Sequence, residues 1–455
     1  MVLTITIQTL ATRAELPLHT KLLWGAAGLG MEALDQSRAA WLIYFYAPPA
    51  SASQAARLSL ATVSLLLFAG KLIEAFADTL IGYWSDRTSS RFGRRIPFVL
   101  LATPPMALFA ILLFAPPSSL HGRSAAAYFF IALELFFLFN SLVGVPYEAL
   151  MPEVARTSDD RVSLSGWRVY FGVIGAGVGL IGSGLLISHF GFGAMAVVMA
   201  LLALTGRYVG VAAVWKRARR DTPATPLSFA TTLRFTVANT PFLVFLLSFV
   251  LFSTALAMVI GLLPFYVTSV LHQTDTGVWS SLLTAVGLGA MVLAIPLFSW
   301  IARRTSKAQA YLYAMLASSV AFPVLFFAGS LPDVSREAQA LVALVIVGAP
   351  LAGVYLFPGP IIADLCDAEA RQLGVRREGM FFSAQSFMDK VTEAFAPLLL
   401  GFILLLGDSP TNALGVHLVG PAAGLVVLIG YILFRVSLKR SERTSSIMTK
   451  RALEN

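Results

Sequence analysis

Long apolar stretches recur along the chain and are separated by short polar segments. A helix needs about 20 mostly apolar residues to cross the hydrocarbon core of a bilayer. Residues 169–206 are long enough for two helices with a turn at 189–193, and residues 235–274 hold one long helix with polar flanks. Together with the other candidate spans, this pattern predicts about twelve transmembrane helices. The uncharged spans are 96–120, 276–302, 308–332, 338–363 and 409–434, and the charged spans are 21–47, 57–84, 125–150 and 378–407.

The distribution of Lys and Arg predicts how these helices are oriented. With an even number of spans and the N-terminus inside, most basic residues fall in cytoplasmic segments, whereas the outer loops hold only Arg57, Arg123 and Arg336. Cytoplasmic loops of membrane proteins carry such an excess of positive charge. We therefore expect a multi-pass protein of the plasma (inner) membrane with both termini in the cytoplasm.

One long polar connection divides the chain into two halves of about six spans each. The predicted organisation is an N-terminal six-helix bundle at 1–215, a cytoplasmic linker at 216–239, a C-terminal six-helix bundle at 240–440 and a cytoplasmic tail at 441–455. Weakly similar motifs, PYEALMPE and PIIADLCD, end the fourth and the tenth span. An all-α membrane protein of two six-helix bundles resembles the major facilitator plan, in which substrate binds between the halves near the bilayer midplane.

The composition excludes several other classes of protein. Apolar residues make up 57% of the chain and charged residues 13%, with a mean hydropathy of +0.78, whereas soluble domains carry about 25% charged residues. The net charge of +9 is accounted for by the membrane topology, so nucleic acid is not an expected partner. The single cysteine, Cys366, excludes an internal disulfide framework and a cysteine metal cluster.

Three charged residues interrupt the second predicted span. Lys71, Glu74 and Asp78 are three and four residues apart, so they lie on one helical face. Glu74 lies about 15 Å along the helix from the inner end, close to mid-bilayer, where an ionisable group indicates function if it faces the protein interior. Two carboxylates one turn apart repel unless a cation lies between them, which favours a site for a coupling sodium ion or proton. The alternative is that Lys71 neutralises Glu74 and the three residues have a structural role.

The first span carries Glu32, Asp35 and Arg38 along one stripe. Glu32 lies at about the depth of Glu74, and a carboxylate there can accept two hydrogen bonds from a polyhydroxylated substrate. Asp35 and Arg38 form either part of this site or a self-satisfied pair without a ligand role.

Further charges interrupt the fourth, fifth and eleventh spans. Asp389 and Lys390 point about 100° apart on a helix, and Lys390 lies near mid-depth, where it can reach a central cavity. Glu148 in the fourth span is a candidate relay or gate group. Arg168 opens the fifth span, and its side chain either enters the cavity or extends to the inner membrane surface.

The motif DTLIGYWSDRTSSRFGRRIP at 78–97 resembles the second-span signature of the glycoside–pentoside–hexuronide:cation symporters, typified by melibiose permease. It is also similar to a stretched form of the general facilitator loop motif, whose acid and arginines lock the inner gate. The likeness covers most of the chain. Further similarity lies at 146–152, 161–168, 363–367 and 377–382.

This resemblance implies roles for individual residues. The sequence departs from the family pattern at two positions of the fourth helix. Gly144 stands where the family has an acid that serves both sugar and cation, and Glu148 stands at a neighbouring position where the family has a tryptophan. The site is therefore expected to recruit Glu148 or Glu32, to accept a different ligand, or to couple to protons. The implied cation ligands are Glu74, Asp78 and Ser141; the implied substrate ligands are Glu32, Arg168, Tyr355 and Lys390, with Glu148; and the implied inner gate comprises Asp86, Arg87, Arg91, Arg94, Asp364 and Asp367.

The function predicted from these residues is cation-coupled symport of a sugar or glycoside by alternating access. We expect a monomeric, non-enzymatic carrier that needs no cofactor other than its coupling cation, Na⁺ or H⁺. One alternative is a cation symporter of the same fold that carries a lysolipid or another amphiphile. A second is a non-transporting membrane sensor or scaffold. An intramembrane enzyme is disfavoured because the sequence has neither a zinc signature nor a nucleophile–base constellation.

Overall fold

Helices dominate the computed structural model of the chain. The structure describes residues 16–454 except 53, 89, 91, 156, 216, 218–238 and 374–377, and for some helical residues, among them Asp86 and those after Arg440, it describes the backbone alone. The described helices are α1 (Leu18–Tyr46), α2 (Leu60–Arg87), α3 (Ile96–Leu113), α4 (Arg123–Val154), α5 (Ser158–Gly177), α6 (Ser183–Val214), α7 (Thr240–Ser269), α8 (Thr276–Arg304), α9 (Lys307–Ala321), α10 (Val324–Phe327), α11 (Arg336–Leu356), α12 (Pro358–Leu373), α13 (Glu378–Leu404) and α14 (Leu414–Glu454).

These helices make twelve membrane crossings within the described ranges. Nine stretches are long and apolar enough to cross a membrane, and the longest, Ser163–Val214, has 52 residues. That stretch crosses twice, since about 20 residues suffice for one crossing and the chain turns at Gly191, whose φ of 81° favours glycine. The turn predicted at 189–193 is thus confirmed. The charged helices α1 and α13 supply the remaining two crossings.

Two predicted spans are broken where the sequence suggested continuous helices. Pro323 separates α9 from α10, and Pro358 begins α12 directly after Phe357 ends α11. A proline lacks the backbone N–H that a continuous helix requires and its ring crowds the preceding turn. A five-residue π-helical turn, Val178–Gly182, also joins α5 to α6. The second break puts an irregular segment at the depth of the cavity described below, where polar backbone groups are tolerated only beside water or protein.

Close helix contacts organise each half of the molecule. In the N-terminal half, α1 packs on α5 and α6, and Gly175 and Gly179 bring α5 and its π-helical turn so near to α1 that an added methyl group would overlap the α1 backbone. In the C-terminal half, α14 packs on α7 and α11 packs on α8. Small residues permit such approaches, which drive helix association in lipid.

The two halves meet mainly at one end of the bundle, here called the closed end, where α1 ends and α2 begins. Tyr44 of α1 hydrogen-bonds Thr268 of α7 at 2.8 Å. Ser281 of α8 donates to the carbonyl of Ile181 at 2.7 Å. A side chain at Gly401 of α13 would overlap Ser64 of α2. These three contacts join α1 to α7, the α5–α6 junction to α8, and α2 to α13.

At the opposite end, here called the open end, described ion pairs form within a half instead of between halves. Arg94 binds Glu153 in the N-terminal half at 2.9 Å, and Lys307 binds Asp364 in the C-terminal half at 2.7 Å. Although they lie well inside the bundle, the side chains of Arg168 and Glu148 are 41% and 40% exposed, and Tyr355 is 48% exposed. The space between the halves is therefore a polar cavity that opens toward the open end.

Candidate functional site

The polar face of α2 lies against α13 at the centre of the bundle. Lys71 and Glu74 are buried there, and Asp78 is partly buried one turn nearer the open end. Lys390 and Glu393 are three residues apart on α13, so they share one helical face and reach toward α2. Helix α2 begins at its Ser59 cap, whose side chain accepts from Thr62. Two helices from opposite halves thus present charges to each other at mid-depth.

Seven of these central residues form a continuous chain of ion pairs, here called the charge chain. Its acids and bases alternate: Asp35, Arg38, Glu393, Lys71, Glu74, Lys390 and Asp78. The N···O separations along it are 3.7 Å for Asp35–Arg38, 3.8 Å for Arg38–Glu393, 2.5 Å for Glu393–Lys71, 2.6 Å for Lys71–Glu74, 3.3 Å for Glu74–Lys390 and 2.5 Å for Lys390–Asp78. Because the chain has one more acid than base, it carries one uncompensated negative charge when all its members are ionised.

Aromatic rings of α4 lie behind two basic members of this chain, Lys71 and Arg38. The Lys71 ammonium lies 4.3 Å from the centre of the Phe137 ring, and the Arg38 guanidinium lies 5.4 Å from it. Such cation–π contacts help to hold desolvated cations in place. Lys71 and Arg38 are therefore fixed parts of the N-terminal half.

Helices α2 and α4 carry buried oxygen atoms that have no hydrogen-bond partner. Asp78 Oδ1, Ser141 Oγ and Asn140 Oδ1 are all buried without a hydrogen-bond partner. Gly70 lies beside Glu134, and Gly82 lies beside Val145, so α2 and α4 run side by side with Ser141 near the level of Asp78. Buried polar atoms nearly always have partners, so unpaired oxygens in this place fit a hard cation, which prefers oxygen ligands.

The residues present limit how such a cation is held. Within the described part of the chain, no group of three or more His, Cys, Asp or Glu side chains is positioned to hold a metal ion. A sodium ion here would need the Asp78 carboxylate together with hydroxyl or amide oxygens such as those of Ser141 and Asn140. A proton would need a single carboxylate oxygen, so these groups fit either ion.

The cavity wall on the open side of the charge chain carries the predicted substrate residues. Glu32 of α1 accepts a hydrogen bond from Gln36 at 2.8 Å, and it lies near enough to Tyr355 and Arg168 to interact with them electrostatically. Arg168 of α5 pairs with Glu148 of α4. A Cβ added at Gly144 would meet no atom within 4 Å, so the wall is recessed where the resembling family has an acid.

Lys390, which the resemblance implies as a substrate ligand, also takes part in the charge chain. Its ammonium lies between Glu74 and Asp78. It is still partly exposed, so it borders the cavity from within the charge chain. The two carboxylates of the predicted cation pair thus share a cation supplied by the opposite half.

The predicted gate residues whose side chains are described lie at the open end. The guanidinium of Arg87 lies over the Tyr83 ring at 3.7 Å, while Arg94 and Asp364 make the ion pairs described above. Asp367 lies in α12, one turn after Asp364. The side chain of Asp86 and the whole of Arg91 lie outside the described residues.

Glu393 is the member of the charge chain whose role the sequence reasoning missed. Its carboxylate bridges Lys71 of α2 and Arg38 of α1. The available signal was its spacing of three residues from Lys390, which puts both charges on the face of α13 that meets α2. The sequence alone does not reveal which helix that face meets.

A family profile described as MFS/sugar transport protein matches residues 23–420. The chain belongs to this family. It is therefore a multi-pass membrane transporter of the major facilitator superfamily, as the sequence predicts, and its fold is the two-bundle arrangement described above. Its cargo is a small molecule that crosses the membrane between the halves.

Individual relatives cover most of the chain at low identity. The isoprimeverose transporter of Lactiplantibacillus pentosus is 23% identical over 82% of this chain and 77% of that protein. The sodium-dependent lysophosphatidylcholine symporter 1 of Xenopus tropicalis is 24% identical over 67% of this chain and 64% of that protein. The solved structure of a bacterial homologue of human drug peptide transporters matches with a TM-score of 0.63 at 12% identity, over 94% of this chain and 99% of that chain. The last similarity concerns the fold alone.

Proposed function

We propose that this protein is a cation-coupled symporter of a sugar or glycoside that works by alternating access as a monomer. We place it in the cell membrane with both termini in the cytoplasm, because basic residues concentrate in the segments at the open end. In that orientation the cavity faces the cytoplasm. No enzymatic step and no cofactor beyond the coupling cation, Na⁺ or H⁺, is needed.

The observation that carries this proposal is that Lys390, from the C-terminal half, bridges Glu74 and Asp78, from the N-terminal half. When the halves part at the closed end, Lys390 moves away from the two carboxylates. The two buried carboxylates, one turn apart, then repel each other without a cation between them, which is unfavourable. A cation from the outer solution replaces Lys390, with Ser141 and Asn140 supplying further oxygens beside Asp78.

This exchange couples the ion to the conformational cycle. The cation favours the state that is open outward, whereas Lys390 favours the state with the closed end sealed, so each competes for the same carboxylates. A ligand shifts such an equilibrium only through its differential affinity for the two states. By linkage, a substrate that tightens cation binding is itself bound more tightly by the same factor when the cation is present.

The cavity wall suits a polyhydroxylated substrate. Glu32 and the Glu148–Arg168 pair offer acceptors and donors to hydroxyl groups, and the half-exposed ring of Tyr355 offers an apolar surface to a sugar face. Small-molecule sites typically combine such a surface with a few fixed polar groups. The recess at Gly144 leaves additional room for the substrate.

The test is uptake of labelled glycosides into proteoliposomes under an imposed sodium or proton gradient. We expect Glu74→Gln and Asp78→Asn to lower gradient-driven accumulation by about tenfold or more. Some substrate exchange should survive, because these variants remove ligands of the cation and not of the sugar. Asp333→Asn, which changes an exposed loop acid, serves as the control and should keep wild-type uptake. Undiminished accumulation by both site variants would contradict the cation role.

A second candidate cargo is a single-chain amphiphile, which the similarity to the lysophosphatidylcholine symporter favours. Such a cargo needs an apolar extension of the cavity that opens sideways to lipid. A competition assay, in which lysolipids compete with the labelled glycosides for uptake, distinguishes the glycoside cargo from the amphiphile cargo. If lysolipid alone competes and is itself accumulated, the glycoside proposal fails and the amphiphile proposal replaces it.

A further inference from the structure

Four described cations around the cavity already have anionic partners. Among the described residues, Arg38, Lys71, Lys390 and Arg168 each contact at least one carboxylate. Asp389, in contrast, is exposed and makes no ion pair with a described residue. At these four cations, the cavity wall therefore offers positive charge to a ligand once a carboxylate of the protein is displaced.

Glu393 has the most exposed carboxylate of the charge chain. Its side chain is 49% exposed, whereas those of Lys71 and Arg38 are 5% and 9% exposed. Its carboxylate contacts both cations, at 2.5 Å from Lys71 and 3.8 Å from Arg38. It consequently stands between two buried cations and the solvent of the cavity.

We infer that Glu393 is a specificity-determining residue that restricts the cargo to molecules without an anionic group. Its carboxylate occupies the position in which Lys71 and Arg38 would otherwise attract a substrate carboxylate, sulfonate or phosphate. The inference rests on the proposed symport of a sugar or glycoside and narrows its substrate class to neutral members. Specificity is here obtained by repulsion of the wrong ligand as well as attraction of the right one.

The electrostatics support this role. When the closed end is sealed, an anionic group bound at Lys71 meets the like charge of Glu393, and two carboxylates sharing one site strongly disfavour each other. Removing only Glu393 leaves Arg38 with a single described ion pair, at 3.7 Å from Asp35. A buried cation without a close partner is costly, and an anionic ligand would relieve that cost.

Matched pairs of labelled methyl hexosides and methyl hexuronides, which differ only at C6, test the inference in proteoliposomes. We expect the wild type to take up the neutral member of a pair at least about tenfold better. Glu393→Gln keeps the shape of the side chain and removes its charge. It should lower the ratio of hexoside uptake to hexuronide uptake by about tenfold, mainly through faster hexuronide uptake. Glu393→Asp retains the charge and should retain the preference for neutral sugars.

Asp389→Asn is the matched control, because it removes an acid from the same helix that contacts no described cation. Its selectivity ratio should stay within about twofold of the wild type. Equal or better hexuronide uptake by the wild type overturns the inference without touching the proposed function, and so does an unchanged ratio in Glu393→Gln. Uptake of neither sugar class by the wild type overturns the proposed function and this inference with it.

Discussion

Two contacts between the halves differ in chemistry although both seal the closed end. Where the α5–α6 junction meets α8, small uncharged residues touch: Gly277 approaches the carbonyl of Gly184, and Ser281 binds that of Ile181. Where α2 meets α13, Ser64 and Gly401 touch near the end of the bundle, and the charge chain follows at mid-depth. One contact is thus held by close packing and the other mainly by ion pairs.

The difference decides what happens when the halves part. Separation of α8 from α6 exposes glycine backbone and hydroxyl groups, which water or neighbouring groups can satisfy at little cost. Separation of α13 from α2 removes Lys390 and Glu393 from their partners, and uncompensated buried charges cost several kcal/mol. The α2–α13 contact can therefore respond to ions, whereas the α6–α8 contact depends mainly on the shape of its residues.

The largest expected effect comes from removing a buried charge of the α2–α13 contact. Lys71→Met leaves Glu74 and Glu393 without their shared cation, and we expect a loss of about 3 kcal/mol in the free energy of unfolding. Lys307→Met is the matched control: it also breaks a lysine–acid pair, but that pair is exposed and should contribute at most about 1 kcal/mol. Thermal unfolding in detergent measures both. Equal losses of unfolding free energy in the two variants would mean that the burial of the Lys71 ion pairs does not add to their contribution to stability.

A smaller effect is expected from enlarging a residue in the uncharged contact. A Cβ at Gly277 would lie against the Gly184 carbonyl, so Gly277→Leu should force the closed end apart. We expect a cysteine introduced at buried Thr268, with Cys366 replaced by serine, to react about tenfold faster with an impermeant maleimide. Gly193→Leu is the control, because an added Cβ there meets no atom within 4 Å. An unchanged reaction rate in Gly277→Leu would contradict the assignment of this contact to the gate.

The positions and faces of the helices at these contacts could be predicted from the sequence, whereas their packing partners could not. Span lengths, the positions of Lys and Arg and the turn at Gly191 follow from local composition, so the twelve crossings could be predicted. The shared face of Lys71, Glu74 and Asp78 follows from helical periodicity. The partner of that face could not be predicted, because a helical period shows which residues lie together and not which helix, more than 300 positions away, will pack on them.

The smallest expected effect concerns Asp275, a charged group at the edge of the α6–α8 contact. Asp275 caps α8 and accepts a hydrogen bond from Ser188 of α6 at 2.5 Å. Burial alone would raise the pKa of Asp275, but the bonds from the Ser188 hydroxyl and the α8 backbone, with the nearby charge of His189, lower it below its usual range. A carboxyl whose pKa is depressed by folding stabilises the protein above its unfolded pKa of about 4, and that contribution is lost as the pH falls through the depressed value.

Asp275→Asn should therefore lower the free energy of unfolding by about 1 kcal/mol at neutral pH. The difference in unfolding temperature between this variant and the wild type should shrink as the pH is lowered below about 4. Asp333→Asn changes an exposed acid in the loop after α10 and should give a smaller difference at neutral pH. Because the Asp275–Ser188 bond links α8 to α6, its loss on acidification would loosen the packed contact. A difference that stays constant from pH 7 to pH 3 would show that Asp275 acts only through its shape, and the α6–α8 contact would then be independent of charge altogether.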